Sequence, residues 1–104
     1  MTDSVTFSRI ALNLPGAVSA PHFDRTAFKV KRIFATLAAD GLSANLKFTP
    51  DEQELKCMAA PEILQAIDNG WGRQGWTTMR RRAAGEADVE SALRMVHVQA
   101  VAKK

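Results

Sequence analysis

The fold of this chain is decided by the stretch 42–52, which reads Leu42-Ser43-Ala44-Asn45-Leu46-Lys47-Phe48-Thr49-Pro50-Asp51-Glu52. From Leu42 to Phe48 apolar residues alternate with polar ones, which predicts a strand with one buried face. A helix start follows at once, because Thr49 can cap a helix, Pro50 suits its first position and Glu52 completes a capping box. The stretch therefore predicts strands and helices in the same domain.

The same period of two extends toward the N-terminus. Phe28 and Val30 alternate with Lys29 and Lys31. If Phe28 and Val30 point to the core, both lysines lie on the opposite, solvent-exposed face of the sheet. Asp40-Gly41 is a strong signal for a hairpin turn. This part of the chain therefore predicts an antiparallel meander of three or four strands with one exposed face.

Helices are predicted on both sides of this meander. They cover residues 3–13, the segment from Pro50 to the position before Pro61, and a last segment that Asp88 caps. Their apolar stripes are formed by Phe7, Ile10, Ala11 and Leu14; by Leu55, Met58 and Ala59; and by Val89, Ala92, Leu93, Val96 and Ala100. Residues 63–67 predict a further short turn or helix.

A further strand is predicted from Gly75 to Arg81, with Trp76 as its core anchor. The elements then follow as helix, strands, helix, strand and helix. We therefore predict an α+β fold, with an antiparallel sheet of about five strands and helices packed on one face. A length of 104 residues is near the commonest domain size, so residues 1–104 are expected to form one domain.

The composition indicates the cellular compartment of the protein and the distribution of its charge. The sequence has one cysteine and no basic N-terminal segment followed by an apolar stretch. It also has no apolar run near the ~20 residues that a membrane helix needs, so we expect a cytoplasmic protein. The net charge is only +3, but eight of the fourteen basic residues fall in two segments without acids, 25–32 and 73–82. We therefore expect one positive side.

Four pieces of the sequence form an ordered set that spans nearly the whole chain. They are Ala11-Leu12-Asn13-Leu14-Pro15-Gly16, then Phe28-Lys29-Val30 with Ile33-Phe34-Ala35-Thr36-Leu37, then Leu46-Lys47-Phe48-Thr49-Pro50-Asp51-Glu52, and last Gly70-Trp71-Gly72-Arg73-Gln74-Gly75-Trp76. In this order they resemble the MmcQ/YjbR family of small bacterial proteins. The resemblance implies a CyaY-like (frataxin-like) α+β fold and DNA binding through a "double wing" motif.

The last of these pieces holds both tryptophans of the chain, and two interpretations of it stay open. In the first, Trp76 is a core residue of its strand and Trp71 clamps the loop. In the second, Trp71 is partly exposed beside Arg73, ready for phosphate contact or for stacking on a nucleic-acid base. Both can hold together, with Trp76 structural and Trp71 a contact.

Two functions are compatible with the basic segments. The first is non-specific DNA or other nucleic-acid binding through a basic sheet face and loop, with a hairpin wing at Lys31-Arg32. The predicted contacts are Lys29, Lys31, Arg32, Lys47, Trp71 and Arg73. The alternative is a protein-interaction or small-ligand-binding module with no nucleic-acid role, in which these cations meet an acidic partner or are solvated surface. A monomer and a dimer are both compatible with the sequence, and a dimer that used the sheet face would cover the contacts.

Catalysis is not expected. His22 lies near Asp24 in the sequence, but no Ser or Cys nucleophile is close to them. We interpret His97 as a boundary residue of the last helix, and Cys57 as a small hydrophobe.

No cofactor and no metal site are expected either, because the histidines and the cysteine lack the spacing of metal ligands. The resemblance raises iron, since frataxin-like proteins bind it through an acidic ridge on their first helix. Here that helix has only Asp3 near its start and carries Arg9, which argues against iron.

Overall fold

The computed structural model describes residues 4–80 and 83–102. In chain order the elements are α1 (Ser4–Leu12), β1 (Val18–His22), β2 (Arg25–Lys29), β3 (Ile33–Ala38), β4 (Ser43–Lys47), α2 (Pro50–Ala59), β5 (Leu64–Ala66), α3 (Gly70–Arg73), β6 (Trp76–Arg80) and α4 (Glu86–Ala102). Asp3, Arg81 and Arg82 lie outside the described residues. No helix in the described part of the chain is long and apolar enough to cross a membrane.

The strands form one antiparallel sheet in the order β1-β2-β3-β4-β6-β5. The α+β class is confirmed, and the described sheet has six strands where about five were predicted. The strand that the sequence did not predict is β5, in the segment interpreted as a short turn or helix. Three residues are too few to show a period, and Leu64 and Ala66 join the sheet only through their pairing with β6.

The core lies between one face of the sheet and the first and last helices, α1 and α4. The pairing of β2, β3, β4 and β6 places Phe28, Ala35, Leu46 and Thr77 side by side on this face. All four are buried. Helices α1 and α4 pack against each other, and α4 packs across β3 and β4. The meander and the helices at both ends of the chain are thus confirmed.

Two helix starts differ in how well the sequence predicts them. At α2 the predicted capping box is confirmed, because Glu52 N donates to Thr49 Oγ1 at 3.1 Å and Thr49 N donates to Glu52 Oε1 at 2.9 Å. At α4 the predicted cap is wrong by one turn. The helix begins at Glu86, and Asp88 lies in its first turn, where its carboxylate accepts from the backbone N–H of Gly85 at 3.0 Å.

The predicted apolar side of α2 is also wrong. Leu55 and Met58 are 70% and 75% exposed, and the helix has no fully buried residue. Its inward positions are the partly buried Cys57 and the amide of Gln53. Gln53 Nε2 lies 2.9 Å from the carbonyl oxygen of Gly72, so the inward side of this short helix makes a polar contact that the apolar pattern does not predict.

Candidate functional site

The face of the sheet opposite α1 and α4 carries a polar row. Pairing places Thr36 of β3, Asn45 of β4 and Thr78 of β6 next to each other on this face. Successive side chains of a strand point to opposite faces of the sheet. Because Ala35, Leu46 and Thr77 face the core, their neighbours in this row face the other way. We call this side of the sheet the open face.

A groove of about 330 Å³ lies on the open face. It is lined by His22, Arg25, Ile33, Thr36, Asn45, Ile67, Asn69, Trp71 and Trp76. Five strands, the β5–α3 connection and α3 contribute to it, and none of its lining residues is acidic. Aromatic and apolar groups with a few fixed polar groups are the usual composition of a ligand site.

Arg25 is a fixed cation in this groove. Its Nε donates to Thr36 Oγ1 at 2.9 Å and its Nη2 lies 3.4 Å from the carbonyl oxygen of Thr36. The side chain is half-buried, and no carboxylate in the described part of the chain lies within 4 Å of it. A guanidinium held in place in this way keeps its remaining N–H groups for an anion.

Asn45 adds an amide to the floor of the groove. Thr78 Oγ1 donates to Asn45 Oδ1 at 3.0 Å, which fixes the side chain. The amide nitrogen of Asn45 has no hydrogen-bond partner among residues 4–80 and 83–102. The groove therefore offers two amide N–H donors beside the guanidinium of Arg25.

Trp71 forms the opposite wall, and its backbone is held at two points. The Asn69 side chain caps α3 by accepting from the backbone N–H groups of Trp71 at 2.9 Å and Gly72 at 3.3 Å. Gly72 is buried against Ile67. Trp71 is 61% exposed, so its ring is an aromatic surface on a backbone held in place rather than a core residue.

The prediction that Trp76 anchors its strand on the core is wrong. Pairing with Lys47 places Trp76 on the open face, where it lines the groove and is half-buried. Thr77 and Met79 fill the core side of β6 instead. The buried Thr77 hydroxyl donates to the carbonyl oxygen of Gly75 at 3.0 Å. A polar residue therefore occupies the core position that was predicted for the ring of Trp76.

The six residues predicted as nucleic-acid contacts lie along one end of the sheet. Lys29 ends β2, Lys31 and Arg32 form the turn into β3, Lys47 ends β4, and Trp71 and Arg73 belong to the helix before β6. The pairs Lys29–Ile33 and Lys47–Trp76, linked through Ala35–Leu46, show that these strand ends lie at the same end of the sheet. Lys29, Lys31, Arg32, Trp71 and Arg73 are exposed.

The ammonium group of Lys47 has a structural role. Its Nζ donates to the carbonyl oxygen of Gln74 at 2.7 Å and lies 3.4 Å from that of Phe48. These bonds tie β4 to the turn between α3 and β6. The charge of Lys47 remains at this end of the sheet, where it adds to the local potential.

The groove residues His22, Arg25, Thr36 and Trp76 were not predicted as a site. The alternation that places Lys29 on the open face also places Arg25 there, so this residue had a usable signal in the sequence. The others come together only through the order and register of the five strands from β1 to β6 in the sheet, which no local pattern contains. Asn45 was expected on the polar side of β4, and this is confirmed.

The remaining titratable candidates have local partners. His97 is buried and its Nε2 lies 2.8 Å from the carbonyl oxygen of Pro15, to which it donates. Desolvation raises the pKa of the Cys57 thiol, and a hydrogen bond with the backbone of Ala66 lowers it by less. In the described ranges no three His, Cys, Asp or Glu side chains come together as a metal site would require.

Comparison with known proteins identifies relatives by sequence and by fold. A family model described as YjbR matches residues 12–97. A crystal structure of the Deinococcus radiodurans protein DR2400, with family-model domain DUF419, superposes with a TM-score of 0.82 at 19% identity and covers 99% of this chain and 81% of that one. At this identity the likeness concerns the fold. No curated protein matches the chain.

Proposed function

This chain belongs to the YjbR family, and from that premise we propose that it binds nucleic acid without sequence specificity. The proposed interface is the basic end of the sheet together with Trp71. Its function is binding without catalysis. We place it in the cytoplasm, since the sequence offers Cys57 no second cysteine for a disulfide.

One observation carries the proposal: residues far apart in the sequence converge on the same end of the sheet. Lys29 and Lys31 come from the β2–β3 hairpin, whereas Arg73 comes from a helix more than forty positions later. Exposed cations in such an arrangement can follow a phosphate backbone. The exposed ring of Trp71, in the same helix as Arg73, supplies a stacking surface that every base can use.

The same geometry favours binding without sequence preference. Phosphate contacts position a protein on nucleic acid but carry no sequence information. The lysines of the basic end and Arg32 lie on turns and strand ends, and Arg73 ends the four-residue helix α3, which is too short to read a major groove.

The test is a titration of labelled single-stranded and double-stranded DNA at two salt concentrations. We expect affinity to fall as salt rises, with a logarithmic slope of about −0.7 for each contacted phosphate on a single strand. In the double variant Lys29→Gln, Lys31→Gln the slope should become shallower by about 1.4, because two phosphate contacts are lost.

A matched control removes the same charge elsewhere. Arg9→Gln with Arg94→Gln lowers the net charge equally on α1 and α4, where each arginine faces a glutamate at 3.9 and 3.7 Å. This pair of changes should leave the slope unaltered. No binding at low salt, or equal losses in both double variants, would contradict the proposed interface.

The groove favours a second candidate, a small-ligand module with no nucleic-acid role. Its volume of about 330 Å³ is at the lower end of the range for ligand pockets, ~300–1,000 Å³. This candidate predicts that a small anion with a ring changes the fluorescence of Trp71 or Trp76, while oligonucleotides of either kind do not bind.

A further inference from the structure

We propose that the groove on the open face holds one unpaired nucleotide, with its phosphate on Arg25 and its base against Trp71. The inference rests on the proposed function and adds to it a preference for single strands. It is carried by groove residues, which are different from the cations at the end of the sheet.

The anion position is the guanidinium of Arg25. Its two contacts with Thr36, at 2.9 and 3.4 Å, fix the plane of the group before any ligand arrives. Fixing a long side chain beforehand reduces the entropy lost on binding. Since no acidic residue lines the groove, an anion meets no repulsion from its walls.

The ring position lies on the opposite wall, at Trp71. Its backbone is held by the cap from Asn69 and by the close approach of Gly72 to Ile67, which fix where the ring leaves the chain. Stacking of a base on an exposed aromatic ring contributes ~1–3 kcal/mol and does not depend on the identity of the base.

The floor between these walls can bind the edge of a base. The amide nitrogen of Asn45 has no partner in the described part of the chain, while its oxygen is bound by Thr78. The edge of an unpaired base offers acceptors to such a group. In a duplex these edges are already paired, and the ring faces are stacked on their neighbours.

The size of the groove sets the ligand. About 330 Å³ corresponds to a small-molecule pocket, so one nucleotide can enter but the body of a duplex cannot. A duplex can reach only the cations at the end of the sheet. Single strands therefore gain the groove contacts in addition to the phosphate contacts.

The experiment uses the full chain and three probes: adenosine 5′-monophosphate, adenosine and inorganic phosphate. The chain has two tryptophans, so its indole N–H resonances report separately on Trp71 and Trp76. We expect the monophosphate to shift the Trp71 indole and the Asn45 side-chain amide. Adenosine should bind more weakly and phosphate should leave the Trp71 indole unshifted.

Two variants separate the parts of the site. Arg25→Gln should lower the affinity for the monophosphate at least tenfold and the affinity for adenosine only slightly. Trp71→Ala changes an exposed side chain, so it tests the ring even if Arg25→Gln impairs folding; it should weaken both the monophosphate and adenosine. Shifts confined to residues 29–32, or unchanged affinity in both variants, would overturn the inference.

Oligonucleotides distinguish failure of this inference from failure of the proposed function. We expect a single strand to bind at least tenfold more tightly than a blunt duplex of equal length. Equal binding of both, lost in Lys29→Gln with Lys31→Gln but kept in Trp71→Ala, would overturn the groove and support the basic end. Monophosphate binding with no oligonucleotide binding would overturn the proposed function and support the groove as a nucleotide site.

Discussion

Gly72 of α3 lies directly against the carbonyl group of Ile67: a Cβ atom at residue 72 would be 1.6 Å from that oxygen. Ile67 lines the groove, and Trp71, the neighbour of Gly72, forms its wall. The missing side chain at residue 72 is thus what lets the helix that carries Trp71 pack onto the end of β5. The close approach links the glycines of this segment to the position of its tryptophan.

Gly72→Ala is therefore expected to destabilise the fold by at least ~2 kcal/mol, because backbone rather than a flexible side chain must move. Urea unfolding measures the change. Gly70→Ala is the matched control, since a Cβ there would meet only Arg73 Nη2 at 3.6 Å, an ordinary contact. Equal urea midpoints for the two variants would contradict the close approach of Gly72 to Ile67.

The local signals of the sequence were strong where neighbouring residues alone decide the structure. Thr49 and Glu52 form their capping box within one turn, and the alternation around Asn45 fixes the faces of β4. The predictions were wrong where distant partners decide. Trp76 lies on the open face because of its pairing with Lys47, and β5 is a strand because β6 is beside it.

The candidate site divides in the same way. The cations at the end of the sheet could be predicted, because charge runs and alternation are visible along the sequence. The groove could not, since Arg25 and Trp71 are brought to opposite walls by the order of β2, β3, β4 and β6. A pattern within one segment contains no information on that order.

The inward amide of α2 leads to a second prediction. Gln53 Nε2 lies 2.9 Å from Gly72 O, 3.0 Å from Trp76 O and 3.1 Å from Thr77 Oγ1. Gln53→Leu should lower the free energy of unfolding by ~1–3 kcal/mol, because acceptors in a partly buried place lose their donor.

The comparison for this change is Leu55→Gln two positions later. Leu55 is 70% exposed, so its replacement should alter stability by no more than ~0.5 kcal/mol. Denaturant unfolding of both variants tests the orientation of α2. If Leu55→Gln were the more damaging change, the helix would be turned the other way.

Cys57 gives a pH-dependent prediction. Burial raises the pKa of its thiol, although the hydrogen bond from Ala66 acts in the opposite sense. The folded state therefore keeps the proton at alkaline pH values at which the unfolded chain has lost it. This contribution to stability is complete below the ordinary thiol pKa of ~8.5 and is lost as pH rises through the folded value.

The measurement is the rate of alkylation by iodoacetamide between neutral and alkaline pH, in the native protein and in urea. The native protein should reach half of its maximal rate at the higher pH, because only the thiolate reacts. The decline of stability at alkaline pH should be smaller in Cys57→Ala than in the unaltered chain. Coincident pH profiles in the native and unfolded states would contradict the raised pKa.

The last prediction concerns Phe23, which combines an exposed aromatic side chain with an unfavourable backbone conformation. Its side chain is 94% exposed at the tip of the β1–β2 hairpin, and its φ of 58° is unusual for a bulky residue. Its only described ring contact is edge-on with His22, at 4.9 Å between centroids. Strained backbone that holds a functional group is a common feature of binding sites.

The hairpin tip adjoins the groove, since His22 and Arg25 on either side of it line the wall opposite Trp71. A single strand that leaves the groove at this side would meet the ring of Phe23. Phe23→Asn should leave stability unchanged or raise it, because asparagine tolerates positive φ. It should also weaken the binding of single-stranded DNA by roughly 5- to 150-fold, the equivalent of ~1–3 kcal/mol for one stacked base. Anisotropy titrations measure this loss.

Leu42→Asn, which removes a 48% exposed apolar side chain beside the β3–β4 turn, is the control and should bind single-stranded DNA as the unaltered chain does. Equal affinities for all three proteins would show that the exposed ring takes no part in binding.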